Sequence, residues 1–183
     1  MKNLLFNFRK ASPAHPLEDA SEKPSLFAVR DEASDSGNQL PFEGKGGFQN
    51  WYERLPIKVL IADDTEINQK LLSRTMERLG YECTIVSSGQ EAYDAVMRDN
   101  FQLILMDLYM PGMDGCEASA LINEDLEDEA PLIVAVTASI FEEEERRCQE
   151  SGIVQFITKP FRVEDLEACL VKWEDELRLR IKE

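Results

Sequence analysis

From Ile57 to the end of the chain, two hydrophobic patterns take turns. "IKVLIAD", "FQLILMD" and "APLIVAVTA" are short runs of near-continuous apolar residues bounded by turn formers. Such runs read as strands buried on both faces. "YECTIVSS" and "VQFITKP" also read as strands, more mixed in composition than the central runs. Between them lie stretches with apolar residues every three or four positions. These are "EINQKLLSRTMERLG", "GQEAYDAVMRDN", "GCEASALINEDL", "FEEEERRCQESG" and a closing "RVEDLEACLVKWEDELRLRIKE". They predict helices, two of them stopped by Gly80 and Gly152. Strand and helix alternate five times. The fold class that follows is α/β, a doubly wound five-stranded parallel sheet with helices on both faces.

Residues 1–56 break this pattern. They hold five of the eight prolines and four of the nine glycines, in polar, turn-rich segments such as "ASPAHPLEDASEKPS". That composition predicts a mostly disordered extension. Within it, Phe48, Trp51, Tyr52 and Leu55 in "FQNWYERLP" fall on one helical face, so a short helix is expected over 48–55. It serves either to pack on the neighbouring domain, 57–183, or to dock a partner.

Charge narrows the function. Of the net −16 of the 183-residue chain, −1 belongs to residues 1–56, which carry seven basic and eight acidic side chains. The remaining −15 lies on residues 57–183. An anion of this strength is repelled by nucleic acid and by anionic membrane. No apolar run approaches the length of a membrane span, and the N-terminus lacks the form of a signal peptide. Cys83, Cys116, Cys148 and Cys169 are widely spaced without a paired motif. Reduced thiols in a cytoplasmic protein are therefore expected, rather than a zinc site or a disulfide.

The strand ends carry the chemistry. In a doubly wound sheet, ligands bind beyond the carboxyl ends of the strands. The first strand ends in Asp63-Asp64, the third in Asp107, the fourth in Thr137 and the fifth in Lys159-Pro160. Singly, each has a bland explanation: a helix cap, a strand-end hydroxyl, a surface lysine. At one rim, three carboxylates resist joint ionisation, and a hard divalent cation such as Mg2+ removes the conflict. With Lys159 and Thr137 beside them, the group suits a phosphoryl moiety, and Asp107 is the natural acceptor for an aspartyl phosphate.

"VLIADD", "LILMDLYMPGMDG", "AVTA" and "FITKP" occur in the order and at the separations of a known family. Residues 58 to about 175 resemble the receiver domain of two-component response regulators, most of all the receivers of hybrid histidine kinases. The resemblance implies a flavodoxin-like strand order of 2-1-3-4-5. It implies that Asp107 is phosphorylated by a histidine kinase or a histidine phosphotransfer protein. It further implies Mg2+ held by Asp64, Asp107 and the backbone carbonyl of Tyr109, with Asp63 acting mainly through water. Thr137 would hydrogen-bond the phosphoryl group and Lys159 would pair with it. Ala138 is small enough to leave that pocket open. Phe156 matches the switch aromatic, without the hydroxyl of a tyrosine. The signal would leave through the "FEEEERRCQESG" helix, the "VQFITKP" strand and the start of the closing helix.

No kinase or output module is visible in the sequence, so a single-domain regulator or a receiver separated from a larger kinase is expected. Trp173 and Leu177, late in the closing helix, offer either a self-association seam for a homodimer or a docking site for the N-terminal segment. Two rivals remain. A Mg2+-dependent phosphatase with an aspartyl-phosphate intermediate would want a second acid/base carboxylate just after the nucleophile, where Leu108 and Tyr109 stand. A phosphorylation-independent interaction module would not need the acidic triad, Thr137 and Lys159.

Overall fold

The computed structural model describes residues 50–138 and 142–181. The remainder of the N-terminal extension, with Phe48 and the expected disorder, lies outside the described residues. Five strands, β1 (Val59–Ala62), β2 (Cys83–Val86), β3 (Leu103–Met106), β4 (Leu132–Thr137) and β5 (Ile153–Thr158), form one parallel sheet of order β2-β1-β3-β4-β5. Among the described residues six helices accompany it: α1 (Trp51–Arg54), α2 (Glu66–Arg78), α3 (Gly89–Arg98), α4 (Gly115–Leu126), α5 (Glu142–Glu150) and α6 (Val163–Leu179). A short 3-10 turn at Glu127–Glu129, unexpected from periodicity, links α4 to β4.

The apolar runs are continuous because the sheet is covered twice. Along β1, Val59 and Ile61 join Leu72, Met76, Leu166 and Leu170 on the α2/α6 side. Leu60 and Ala62 join Ala92, Val96, Ala118 and Ile122 on the α3/α4 side. Every residue of β1, β3 and β4 is buried, whereas the edge strands β2 and β5 are partly exposed. Successive side chains of a strand point to opposite faces, so a strand covered twice has no polar position to spare.

The N-terminal helix belongs to this body. Trp51 and Leu55 are fully buried in the α2/α6 core, while Tyr52 is half exposed and meets Tyr81 edge-on at 6.0 Å. Trp51 Nε1 donates to Glu167 on α6 at 3.1 Å, and Arg54 forms an ion pair with Glu174. Arg178 reaches back to the Arg54 carbonyl at 2.9 Å. Of the two roles expected for Trp173 and Leu177, the structure shows the docking of the N-terminal segment, through α1. Leu177 is buried, and Trp173 packs on the same core with its indole N–H on Gln155 at 2.7 Å. Residues spaced to extend past the core of the sheet are instead met by α1.

The expectation of four reduced thiols also fails. Cys116 on α4 and Cys148 on α5 are joined by a disulfide, with Cα atoms 5.3 Å apart. They are 32 residues apart in sequence, and neighbouring helices on one face of the sheet bring them together. Spacing alone cannot reveal such a pair. Cys83 and Cys169 are free.

Candidate functional site

The register of the sheet builds the rim. Ala62 pairs with Met106, and Met106 with Ala135, so Asp63 and Asp107 leave adjacent strands together while Thr137 stands two residues past Ala135. The ladder continues into the site: Asp107 N–H donates to the Ala62 carbonyl at 2.8 Å, and Lys159 N–H to the Thr137 carbonyl at 2.7 Å.

Tight local chemistry shapes the loop after Asp107. Gly112 sits at φ +82, a conformation that costs a side-chain-bearing residue 1 kcal/mol or so. At Gly115 a Cβ would stand 2.2 Å from the Asp107 carbonyl oxygen, so no other residue fits without moving the acceptor strand. The next helix is fixed at once by a capping box, in which Glu117 N–H donates to Asp114 at 2.8 Å and Asp114 N–H to Glu117 at 3.1 Å. The short loop is thus pinned at both ends.

Asp63 is fully buried and Asp107 nearly so, while Asp64 faces solvent. One oxygen from each of the three carboxylates lies within 4.8 Å of the other two. The Lys159 ammonium bridges the inner pair, at 2.7 Å from Asp63 and 2.6 Å from Asp107. The second Asp63 oxygen accepts from Thr65 N–H at 2.9 Å and from the Asn68 amide at 3.1 Å. The second Asp107 oxygen accepts from Tyr109 N–H at 3.3 Å. Burial pushes the Asp107 carboxyl above the ordinary range, although Lys159 opposes this. Burial pulls the Lys159 ammonium down, but Asp107 and Asp63 together outweigh it, and its pKa is raised. Both shifts describe a carboxylate and a cation that depend on each other.

Asp63, Asp64, Asp107 and Lys159 are thus drawn into one cluster. Thr137 is buried at the end of the neighbouring strand, Ala138 beside it is exposed, and Phe156 is partly buried against the α3/α4 core. The Lys159–Pro160 peptide is cis. Sequence reasoning passed over Asn68 and Gln69, which hold Asp63 from the start of α2. Gln69 donates to the Asp63 carbonyl at 2.7 Å. Their place on the rim-facing start of a helix, just after Asp63-Asp64, was the available signal.

The sequence model of the response regulator receiver domain matches residues 59–171. The chain belongs to that family, the phosphoacceptor modules of two-component signalling. It is 36% identical over 117 residues to hybrid signal transduction histidine kinase H of Dictyostelium discoideum, covering 62% of this chain and 8% of that protein. It is 30% identical over 168 residues to the sensor histidine kinase RcsC of Escherichia coli, covering 90% of this chain and 17% of that one. The chain therefore spans a small part of the curated relatives it matches. Among solved structures, the receiver domain of a Pseudomonas aeruginosa sensor histidine kinase carries a magnesium ion in its active-site cleft. It aligns with a TM-score of 0.59 at 28% identity, over 64% of this chain and 96% of that one. The receiver of Saccharomyces cerevisiae Ssk1, solved with the histidine phosphotransfer protein Ypd1, aligns at 0.59 and 29%, over 64% and 88%. No helix among the described residues is long and apolar enough to cross a membrane.

Proposed function

We propose that Asp107 accepts a phosphoryl group from a histidine kinase or a histidine phosphotransfer protein, and that the charge change alters which partner the chain binds. The observation that carries this reading is the Lys159 ammonium held between Asp63 and Asp107 beside the solvent-facing Asp64. Three carboxylates and one ammonium leave a formal charge of −2, which suits an oxygen-seeking divalent cation. Asp64, Asp107 and the Tyr109 carbonyl would hold Mg2+, with Asp63 behind them. When bound, Mg2+ would neutralise the oxygens of the entering phosphoryl group.

The chain's own residues do the rest. Asp107 supplies the attacking oxygen: its bond to phosphorus forms as the donor's P–N bond breaks and the imidazole leaves. Lys159 stays within reach of a new phosphoryl oxygen because its backbone is fixed to β4 through Thr137. Thr137 supplies a hydroxyl at the same rim. As it turns toward the phosphoryl group, Phe156 on the neighbouring strand follows, and the α5–β5–α6 face changes. The donor's route is open on one side: Ile67 and Leu71, on the first turns of α2, are 76% and 47% exposed next to the acidic pair. The yeast receiver solved with Ypd1 supports a phosphotransfer protein as that donor. A cytoplasmic site of action follows from such a donor.

The test is incubation with Mg2+ and acetyl phosphate, read by intact mass. One added phosphoryl group per chain is expected. Multiple turnover on an outside phosphoester would instead make the chain a phosphatase, and an unchanged mass would make it an interaction module.

A further inference from the structure

Over its described side chains, helix α5 is tied to the rest of the chain by a disulfide and by an exposed ion pair from Arg147 to Asp114. Among its described side chains, from Glu145 onward, only Cys148 is buried. That sulfur is bonded to Cys116, in the first turn of α4 just past the loop that follows Asp107. Both half-cystines are buried, Cys116 at 4% and Cys148 at 1% exposure, but the bond is not walled in on every side. It lies in the wall of a cavity of about 230 Å3 that opens beside Tyr109, Met110 and Arg147. The other two cysteines, Cys83 and Cys169, are free, and burial pushes their thiols up to about 12 and about 11.

We infer that Cys116 and Cys148 form a reversible dithiol–disulfide pair that gates movement of α5, so that the oxidised chain responds to phosphorylation weakly and the reduced chain fully. A bond from α4 to α5 restrains the one helix of the output face that packing leaves loose, and it does so from the end of α4 nearest Asp107. The oxidant is a small disulfide of the glutathione class. One protein thiolate attacks it, forming a mixed disulfide and releasing one thiolate. The second protein thiolate displaces the other, and the two protons leave with the two released thiols. Reduction by a dithiol runs the same steps backward, with the cavity admitting the attacking sulfur. The gating half of this inference rests on the phosphoacceptor reading, while the thiol chemistry does not.

The experiment uses the full chain equilibrated in a glutathione redox series, then acid-quenched, denatured and alkylated. Oxidised chain should take two alkyl groups, on Cys83 and Cys169, and reduced chain four. Hydrogen exchange is then followed with and without Mg2+ and beryllium fluoride. In the reduced chain the mimic should change exchange across 142–150 at least threefold more than in the oxidised chain. Cys148→Ser and Cys116→Ala should behave as the reduced form at every redox setting. Four alkyl groups throughout the series would overturn the pair. Equal responses in both redox states would overturn the gate and leave the phosphoacceptor reading standing. No response in either state, with the pair still titrating, would overturn that reading and the gate together.

Discussion

Helices α5 and α6 lie on opposite faces of the sheet, on either side of the edge strand β5, and they are anchored by different physics. α6 runs for 17 residues and buries Val163, Leu166, Cys169, Leu170 and Leu177. α1 adds an indole hydrogen bond and an ion pair from above. α5 runs for 9 residues, opens with four glutamates and, over its described side chains, buries Cys148 alone. Among its polar ties, Arg147 to Asp114 at 2.7 Å is solvent-exposed and contributes about 1 kcal/mol or less. Regions with few buried apolar contacts open at low cost, and moving elements are drawn from them. The same face of the molecule thus contains a fixed partner and a loose one, with Phe156 on the strand between them and Lys159 just past its end.

The largest effect should come from the fixed side. Leu170 is 1% exposed, and Leu170→Ala removes most of a core side chain from α6. Global stability should fall by about 2–5 kcal/mol, measured by denaturant unfolding. A loss under 1 kcal/mol would mean that α6 is no better anchored than α5.

Reducing the disulfide comes next. It closes a loop of 32 residues, for which chain entropy gives an upper figure of about 3–4 kcal/mol. Exchange should quicken first in α5 and leave α6 nearly unchanged, because α6 does not depend on that bond. Uniform quickening would erase the contrast between the two helices.

A smaller effect is expected at alkaline pH, through the free cysteine of α6. Burial raises the Cys169 thiol from 9.0 to about 11. A folded-state pKa above the unfolded value favours the folded chain below pH 9 and loses that advantage as pH rises through about 11. Unfolding free energies of the wild type and Cys169→Ala should diverge across that window and run parallel below it. Parallel curves throughout would show that Cys169 is already open to water.

How much of this the sequence disclosed depends on the scale of the pattern. The sheet was legible because burial on both faces leaves a continuous apolar run, as in "LILM" and "LIVAVT". The rim was legible because the first, third and fifth strands end in charged residues and the fourth in a hydroxyl. Less visible was whatever depends on contacts between distant elements. Trp51 and Leu55 showed a helical stripe, but only packing on α6 decides between core and interface. Leu177 has the spacing of an exposed seam, and α1 makes it core. Cys116 and Cys148 have no motif because two helices, rather than a turn, bring them together. Asp63 and Asp64 are neighbours of identical chemistry, yet one is sealed under Asn68, Gln69 and Lys159 and the other faces water.

The central claim is that Asp107 takes a phosphoryl group from a phosphorylated histidine. The most direct measurement presents the chain, with Mg2+, to a radiolabelled histidine phosphotransfer protein and follows the label by gel, for wild type and Asp107→Asn. The asparagine is nearly isosteric but cannot form the acyl phosphate, and circular dichroism checks its fold. The account predicts label on the wild type and none on the folded variant. Equal label on both would contradict it.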